Sequence, residues 1–227
     1  MDTDFIKGQI EIVHDRINTI KNENNISYPV NVCVASKYAT AAEIRYIYSQ
    51  GLRIFGENRV QDALIKHKEL QDLDIDWQFI GHLQTNKLNK IIPTFNCVQS
   101  LDRMELIEQL NKKCSAQNIT KNVLLQFNSG NDPDKFGFKL DDVDELCDKF
   151  HIFSHLRLQG VMLIAPLMDN ESELGKIFEK TKNTYDTFSK NYDTLSVLSM
   201  GMSQDYQLAI KCGSNMVRIG RFIFKKQ

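Results

Sequence analysis

The fold of this chain is set by the segment Val30-Asn31-Val32-Cys33-Val34-Ala35-Ser36-Lys37. Its first six residues alternate apolar and polar side chains and are rich in β-branched valine, which is typical of a buried strand. The run Thr40-Ala41-Ala42-Glu43 follows closely and has the capping-box pattern that opens a helix. A strand that leads directly into a helix predicts a βα unit, with Lys37 at the carboxyl end of its strand.

Short apolar runs alternate with amphipathic stretches on both sides of this unit. We predict strands at 30–35, 52–55, 76–80, 95–98, 122–127, 156–163, 195–198 and 216–219. We predict helices at 3–22, 40–50, 58–70, 85–91, 102–117, 140–150, 171–190 and 203–212. This alternation predicts an α/β fold, a single (β/α)8 TIM barrel with an extra N-terminal helix, as one domain over residues 1–227. An open doubly wound sheet would give similar alternation but usually has fewer strands.

Composition excludes several classes of function. The formal net charge is −1 with 25% charged residues, so no general attraction to nucleic acid or an anionic membrane is expected. The acidic start Met1-Asp2-Thr3-Asp4 has no apolar signal core, and no apolar run is long enough to cross a bilayer. The five cysteines are scattered without a Cys-x-x-Cys pair. We therefore expect a cytoplasmic, reduced protein without a structural metal site.

The position of Lys37 indicates a chemistry. The carboxyl ends of the strands in α/β folds are where ligands bind, and in barrels they carry the active site. A lysine with a partly desolvated stem can lose its proton near neutral pH and form a Schiff base with an aldehyde. From this motif alone, a solvated lysine at the end of a strand is the alternative interpretation.

Two loops late in the chain predict a phosphate site. The segment 198–205 follows the seventh strand and contains Ser199, Gly201 and Ser203, and Gly220-Arg221 follows the eighth. Loops at these two places often bind phosphate in barrels, and a helix start offers free N–H groups to an anion. Either loop alone could be an ordinary turn. Together with Lys37 they point to a phosphorylated aldehyde, and pyridoxal 5′-phosphate (PLP) fits this description.

The chain resembles the pyridoxal phosphate homeostasis proteins, also called the proline synthetase co-transcribed family, which look like the N-terminal barrel of alanine racemase. The resemblance runs from the first strand to the last, and its most specific parts are the Gly-Glu-Asn and Ser-Met-Gly-Met-Ser segments. The matching segments are Val34–Lys37, Phe55–Gln61, Trp77–Lys87, Lys135–Phe138, Leu158–Pro166, Leu198–Asp205 and Val217–Gly220.

The resemblance implies a PLP-binding barrel and a role for particular residues. Lys37 would be the Schiff-base lysine and Arg218 would approach the ring nitrogen. The residues implied to face the ring are Asn58 and His82, and those implied to hold the phosphate are Ser199, Gly201 and Gly220.

Three positions depart from the family's pattern. Arg221 stands where the family usually has a small hydroxyl residue after Gly220, although an arginine can contact phosphate through its own charge. Arg59 replaces the usual tyrosine, and Lys225 replaces the usual glycine. None of these changes affects the Schiff-base chemistry expected of Lys37.

Some of these residues have other interpretations. His82 could cap the helix that begins near Gln84 rather than contact a ligand. Glu57 is expected to orient a loop through backbone N–H groups rather than to act as a general base. If the strand geometry persists beyond Lys37, Tyr38 points away from the site.

We predict a PLP-binding protein of intracellular vitamin B6 homeostasis without robust catalysis. An arginine beside the ring nitrogen cannot donate its proton, so carbanion chemistry is weakly supported. The racemase-like enzymes also use a base from a C-terminal β domain, and we expect no such domain in this protein. The expected partners are PLP and PLP-requiring apo-enzymes, with no nucleic acid and no membrane, and a monomer is favoured. The alternatives are a weak PLP-dependent racemase-like enzyme and a cofactor-free lysine aldolase.

Overall fold

Eight parallel strands close into a barrel within residues 2–128 and 136–224, the part of the chain that the computed structural model describes. The strands are β1 (Asn31–Ala35), β2 (Ile54–Glu57), β3 (Asp76–Phe79), β4 (Cys97–Leu101), β5 (Lys121–Asn128), β6 (Phe138–Lys139), β7 (Leu156–Leu163), β8 (Val197–Met202) and β9 (Met216–Ile219). The helices are α1 (Thr3–Glu23), α2 (Ala41–Ser49), α3 (Val60–Glu69), α4 (Leu88–Thr94), α5 (Met104–Ala116), α6 (Val143–Phe150), α7 (Glu171–Ser189), α8 (Tyr206–Lys211) and α9 (Arg221–Phe224). Lys135 and Lys225, which the sequence singled out, lie outside the described residues.

The strand pairing shows why the sheet is a barrel and not an open layer. Each strand pairs with the next along the barrel, β9 pairs with β1, and the additional pairing of β4 with β5 completes the circle. The register aligns Ala35 with Gly56 on one side of β1 and Cys33 with Arg218 on the other. The short β6 pairs only with the end of β5 and extends its edge. The predicted TIM barrel is therefore confirmed, and the open doubly wound alternative is wrong.

The predicted extra N-terminal helix is present as α1. Its buried residues recur every three or four positions along one face, at Ile6, Ile10, Val13, Ile17 and Ile20. The helix lies against α2, α8 and α9. Burial of these five side chains, each contributing about 1.5–3 kcal/mol, fixes the helix to the barrel.

The barrel has two cores, because successive side chains of a strand face opposite sides. Val32 and Val34 face outward into the large core between the strands and the helices. A smaller apolar cluster of Cys97, Leu124 and Met162 belongs to the inward faces. The inward faces also carry a buried polar group, consisting of Gln78, Gln99, Ser199 and Arg218. Gln78 lies level with Cys97 in the register of β3 and β4, and Ser199 lies level with Met162 in that of β7 and β8.

The turn after β1 is fixed by a capping box at the start of α2. Thr40 Oγ1 accepts a hydrogen bond from the Glu43 N–H at 3.3 Å, and Glu43 Oε2 accepts one from the Thr40 N–H at 2.7 Å. The predicted capping box is confirmed. Because both ends of the Ser36–Ala39 turn are held, the backbone of Lys37 has a defined place at the mouth of the barrel.

Candidate functional site

A cavity of about 410 Å³ opens at the carboxyl ends of β1, β8 and β9. Of the residues predicted from the sequence, it is lined by Lys37, Arg218, Gly220 and Arg221. Its size lies within the range of about 300–1,000 Å³ that is usual for small-molecule sites. The fold thus brings the predicted amine and both sides of the predicted phosphate loops to one opening.

Lys37 projects into this cavity from the turn that follows β1. Its Nζ lies 4.8 Å from the centre of the Tyr38 ring and makes no hydrogen bond or ion pair with another described residue. The expectation that Tyr38 points away depends on the strand geometry persisting; the geometry does not persist, and Tyr38 also lines the cavity. The strand ends at Ala35 and a turn follows, so the alternation of a strand no longer applies at Tyr38.

A buried ion pair holds the turn beneath Lys37. Glu57 Oε1 accepts hydrogen bonds from Ser36 Oγ and from Lys66 Nζ, both at 2.7 Å. Lys66 Nζ also donates to the Ser36 carbonyl oxygen at 2.7 Å. Glu57 therefore orients the loop through the Ser36 hydroxyl and the Lys66 ammonium group. The prediction that it would do so through backbone N–H groups is wrong. Lys66 lies in the last turn of α3, where a lysine is common, so its role has no signal in the sequence.

Arg218 is buried in the wall of the cavity with 4% of its surface exposed. Its Nη1 donates to the Ser199 carbonyl oxygen at 2.8 Å and to Ser199 Oγ at 2.7 Å, and its Nη2 donates to the Leu163 carbonyl oxygen at 2.7 Å. Among the described residues, no carboxylate lies within 4.0 Å of the guanidinium. Burial lowers the pKa of Arg218 to about 10, so the group is still charged at neutral pH.

The two loops predicted to hold phosphate meet at the cavity, but their residues divide into two sets. Ser203 lines the cavity, and its Oγ accepts a hydrogen bond from the Phe222 N–H at 3.3 Å. Ser199 instead has its hydroxyl inside the barrel, where it donates to Gln99 Oε1 at 2.7 Å. Ser203 is thus the serine that lines the cavity, and the Ser199 hydroxyl is bonded inside the barrel.

The glycines of these loops are required by close packing of the protein itself. Gly201 has a φ of +93°, and a Cβ there would lie 2.6 Å from Ala209 Cβ. A Cβ at Gly220 would lie 2.7 Å from the Ala35 carbonyl oxygen. Gly201 is absent from the cavity lining, so its packing against α8 is a sufficient reason for glycine.

Asn58 and His82 lie at the ends of β2 and β3 and do not line this cavity. Asn58 Oδ1 is buried and has no hydrogen-bond partner among the described residues. His82 Nδ1 lies 3.0 Å from Asp102 Oδ2, and its ring stacks on Phe136 with the centroids 3.6 Å apart. No side-chain cap is present on the short helix Thr85–Lys87, so the alternative of a capping His82 is wrong.

The residues that hold His82 have no local signal in the sequence. Asp102 is buried, and its Oδ1 accepts a hydrogen bond from Arg103 Nη1 at 2.6 Å. The segment 101–103 reads as an ordinary strand end followed by a helix start, and only the pairing of strands brings it beside His82. His82 is thus held at one ring nitrogen by a carboxylate.

Two other kinds of feature are absent from the part of the chain that the structure describes. No helix among the described residues is both long enough and apolar enough to cross a membrane. No group of three or more histidine, cysteine, aspartate or glutamate residues in this part of the chain could hold a metal ion.

The fold and the mouth cavity place the protein among barrels of the alanine racemase type. A family model of the alanine racemase N-terminal domain matches residues 16–227. The pyridoxal phosphate homeostasis protein of Helicobacter pylori (strain 26695) is 36% identical over 222 residues, which cover 97% of this chain and 98% of that protein. The protein of the same name from Aquifex aeolicus is 37% identical over 191 residues, 84% of each chain.

The chain belongs to the pyridoxal phosphate homeostasis protein family, as the resemblance predicted. The structure of PipY from Synechococcus elongatus with PLP bound is similar to this chain, with 31% sequence identity between the two and a TM-score of 0.80. The match covers 92% of this chain and 100% of that one. The agreement therefore extends over nearly the whole barrel.

Proposed function

We propose that this protein binds pyridoxal 5′-phosphate at the mouth of one barrel domain and serves in intracellular PLP homeostasis. The observation that carries the proposal is the cavity that joins Lys37, Arg218 and the loops after β8 and β9. The relatives named for PLP homeostasis and PipY with PLP bound support the same assignment.

The residues at the mouth fit a phosphorylated aldehyde. A buried guanidinium without a carboxylate beside it is costly, and an anionic ligand would offset that cost. Asn58 Oδ1 is buried without a partner near the end of β2, the strand next to β1, and could accept a hydrogen bond from a ligand. When bound, the cofactor supplies an electrophilic aldehyde and a conjugated ring that absorbs light.

Each residue at the mouth has a distinct role in the proposed site. Lys37 would supply the amine that meets the aldehyde. Ser203, the backbone of Gly220 and the charge of Arg221 face the phosphate, and Arg218 faces the ring nitrogen. Arg218 keeps its proton at neutral pH because its pKa of about 10 lies well above that range. It can therefore donate a hydrogen bond to the ring without transferring a proton.

Borohydride reduction tests the attachment. Protein loaded with PLP is reduced, digested and analysed by mass spectrometry, with unreduced protein as the control. We expect the label on the peptide that contains Lys37, and the absorbance of the bound cofactor should change on reduction. A label on another lysine would contradict the assignment of Lys37. A protein that never acquires the absorbance would instead favour the cofactor-free aldolase.

Comparison of PLP with pyridoxal tests the phosphate end. Several charge-assisted hydrogen bonds to phosphate, each worth about 1.5–3 kcal/mol, should make PLP bind at least about a hundredfold more tightly. The measurement is a titration of ligand-free protein followed by absorbance. Equal affinity for the two aldehydes would show that the anchoring site is misplaced.

We also propose that the protein has no substantial amino-acid turnover. A donor-only Arg218 leaves the ring nitrogen unprotonated, which makes the cofactor a poor electron sink. The test is exchange of the α-hydrogen of L- and D-amino acids with solvent deuterium. Exchange at about 1 per second or faster would favour the racemase-like enzyme.

The proposed partners are PLP-requiring apo-enzymes, and the proposed state is a monomer. Apolar side chains surround the mouth, with Tyr38 76% and Leu167 87% exposed. These side chains give a recipient protein a surface to dock on while cofactor is passed. The tests are light scattering of the purified protein and the rate of transfer to an apo-enzyme. Transfer no faster than free release of PLP would contradict direct delivery.

A further inference from the structure

A continuous chain of hydrogen bonds runs through the inside of the barrel from Arg218 to Asp76. Arg218 Nη1 donates to Ser199 Oγ at 2.7 Å, and Ser199 Oγ donates to Gln99 Oε1 at 2.7 Å. Gln99 Nε2 donates to Gln78 Oε1, and Gln78 Nε2 donates to Asp76 Oδ2 at 2.9 Å. The chain begins in the wall of the mouth cavity and ends at the first residue of β3.

The two ends of the chain fix the direction of every bond in it. A guanidinium can only donate hydrogen bonds, and an ionised carboxylate can only accept them. Ser199 must therefore accept from Arg218 and donate onward, and each glutamine amide has one allowed orientation. Gln78, Gln99 and Ser199 are all buried, so water does not compete for these groups.

The chain gives the charge of Arg218 a distant counterpart. No described carboxylate lies within 4.0 Å of the guanidinium, yet the aligned dipoles connect it to the carboxylate of Asp76. Burial raises the pKa of Asp76, and the bond from Gln78 opposes that rise, so the amide favours the ionised carboxylate. A positive group and a negative group at opposite ends are what such a chain stabilises best.

We propose that Asp76 is a positioning residue for Arg218, acting through Gln78, Gln99 and Ser199 from the opposite end of the barrel. The chain holds Ser199 Oγ as an acceptor and so fixes the plane of the guanidinium that faces the cavity. In D76N, the group at the end of the hydrogen-bond chain can donate as well as accept, so the amides of Gln78 and Gln99 are no longer limited to one orientation. The part of this inference that concerns ligand affinity rests on the proposed function.

Side-chain NMR of the ligand-free protein tests the chain without any cofactor. The ¹⁵N–¹H signals of Arg218 are assigned by their absence in R218K. We expect D76N and Q78M to shift or broaden these signals, although neither residue touches Arg218. D76E, which keeps an acceptor-only end, should restore signals close to those of the wild type. D74N is the matched control, because it removes an exposed carboxylate two residues away that is outside the chain.

Titration with PLP tests the consequence at the mouth. We expect D76N and Q78M to weaken binding about three- to tenfold, the effect of one misaligned hydrogen bond, and D74N to bind as the wild type does. If D76N and Q78M only lower the stability and leave both the Arg218 signals and the affinity as in the wild type, the inference is overturned. If the wild type binds no PLP, the proposed function fails, and the NMR signals alone decide the inference.

Discussion

The barrel has a lysine and a cavity at each end, and the two lysines differ in what their amines contact. Lys37, at the carboxyl end, has the Tyr38 ring as its neighbour and no hydrogen-bond partner among the described residues. Lys121, the first residue of β5, is 8% exposed, and its Nζ donates to the carbonyl oxygens of Ile92 at 2.7 Å and Phe95 at 2.6 Å. The cavity beside Lys121, about 490 Å³, is the larger of the two. Size and burial alone would select the amino end and not the end at which we propose that PLP binds.

The partners of Lys121 explain its place at the amino end. Ile92 and Phe95 belong to the last turn and the cap of α4, where carbonyl groups have no partner within the helix. A cation at this end also interacts favourably with the helix dipole. Burial lowers the pKa of Lys121, but its amine is committed to structure. An amine available for chemistry is marked by missing partners in a cavity and not by burial.

The largest expected effect is the loss of covalent attachment in K37A. The variant should acquire no borohydride-stable label, because the amine that meets the aldehyde is gone. Its free energy of unfolding should stay within about 0.5 kcal/mol of the wild type, since Lys37 is exposed. Mass spectrometry and urea unfolding measure the two quantities. The matched variant K121M should label fully, and a lost label there would remove the distinction between the two ends.

The next effect concerns Lys66, a structural lysine at the same end as Lys37. K66M should lower the free energy of unfolding by about 3–5 kcal/mol, because it leaves the fully buried carboxylate of Glu57 without its cation. The double variant E57Q/K66M should recover most of this loss, since no uncompensated charge remains. Urea unfolding of the wild type, K66M, E57Q and the double variant gives the coupling energy of the pair. A loss of about 1 kcal/mol or less in K66M would mean that the pair behaves like a surface ion pair.

K121M should be destabilised by about 2–4 kcal/mol, because two buried carbonyl groups lose their donor. Urea unfolding at neutral pH measures the loss. K112M, which removes an exposed lysine from α5, is a control and should stay near the wild type. Equal stabilities for K121M and K112M would contradict the capping role.

The same variant tests the pH dependence of stability. The pKa of Lys121 is lowered in the folded state, so the unfolded state binds more protons in the window just below the ordinary lysine value. The free energy of unfolding therefore contains a contribution that rises with pH across that window. The difference between wild type and K121M isolates this contribution from the buried thiols that also titrate. A difference that falls with rising pH would contradict the lowered pKa.

The features that the sequence could predict are those with a local pattern. The alternation of strands and helices, the capping box at Thr40 and the place of Lys37 all follow from residues close together in the chain. The partners of Ser199 and His82 do not, because Gln99 and Asp102 reach them only through the closure of the barrel. Gly201 shows a third case, in which glycine was expected for a ligand and is required by packing against Ala209.

The smallest expected effect is that of R221S, which introduces the hydroxyl residue usual in the family after Gly220. Arg221 is exposed at the rim of the cavity, where water and salt screen its charge. A hydroxyl there can donate one hydrogen bond in place of the charge, so PLP affinity at low salt should fall by no more than about threefold. The salt dependence of binding should become weaker, because one cation near the phosphate is lost. Titrations at two ionic strengths measure both effects, and a large loss that persists at high salt would show that Arg221 binds the phosphate directly.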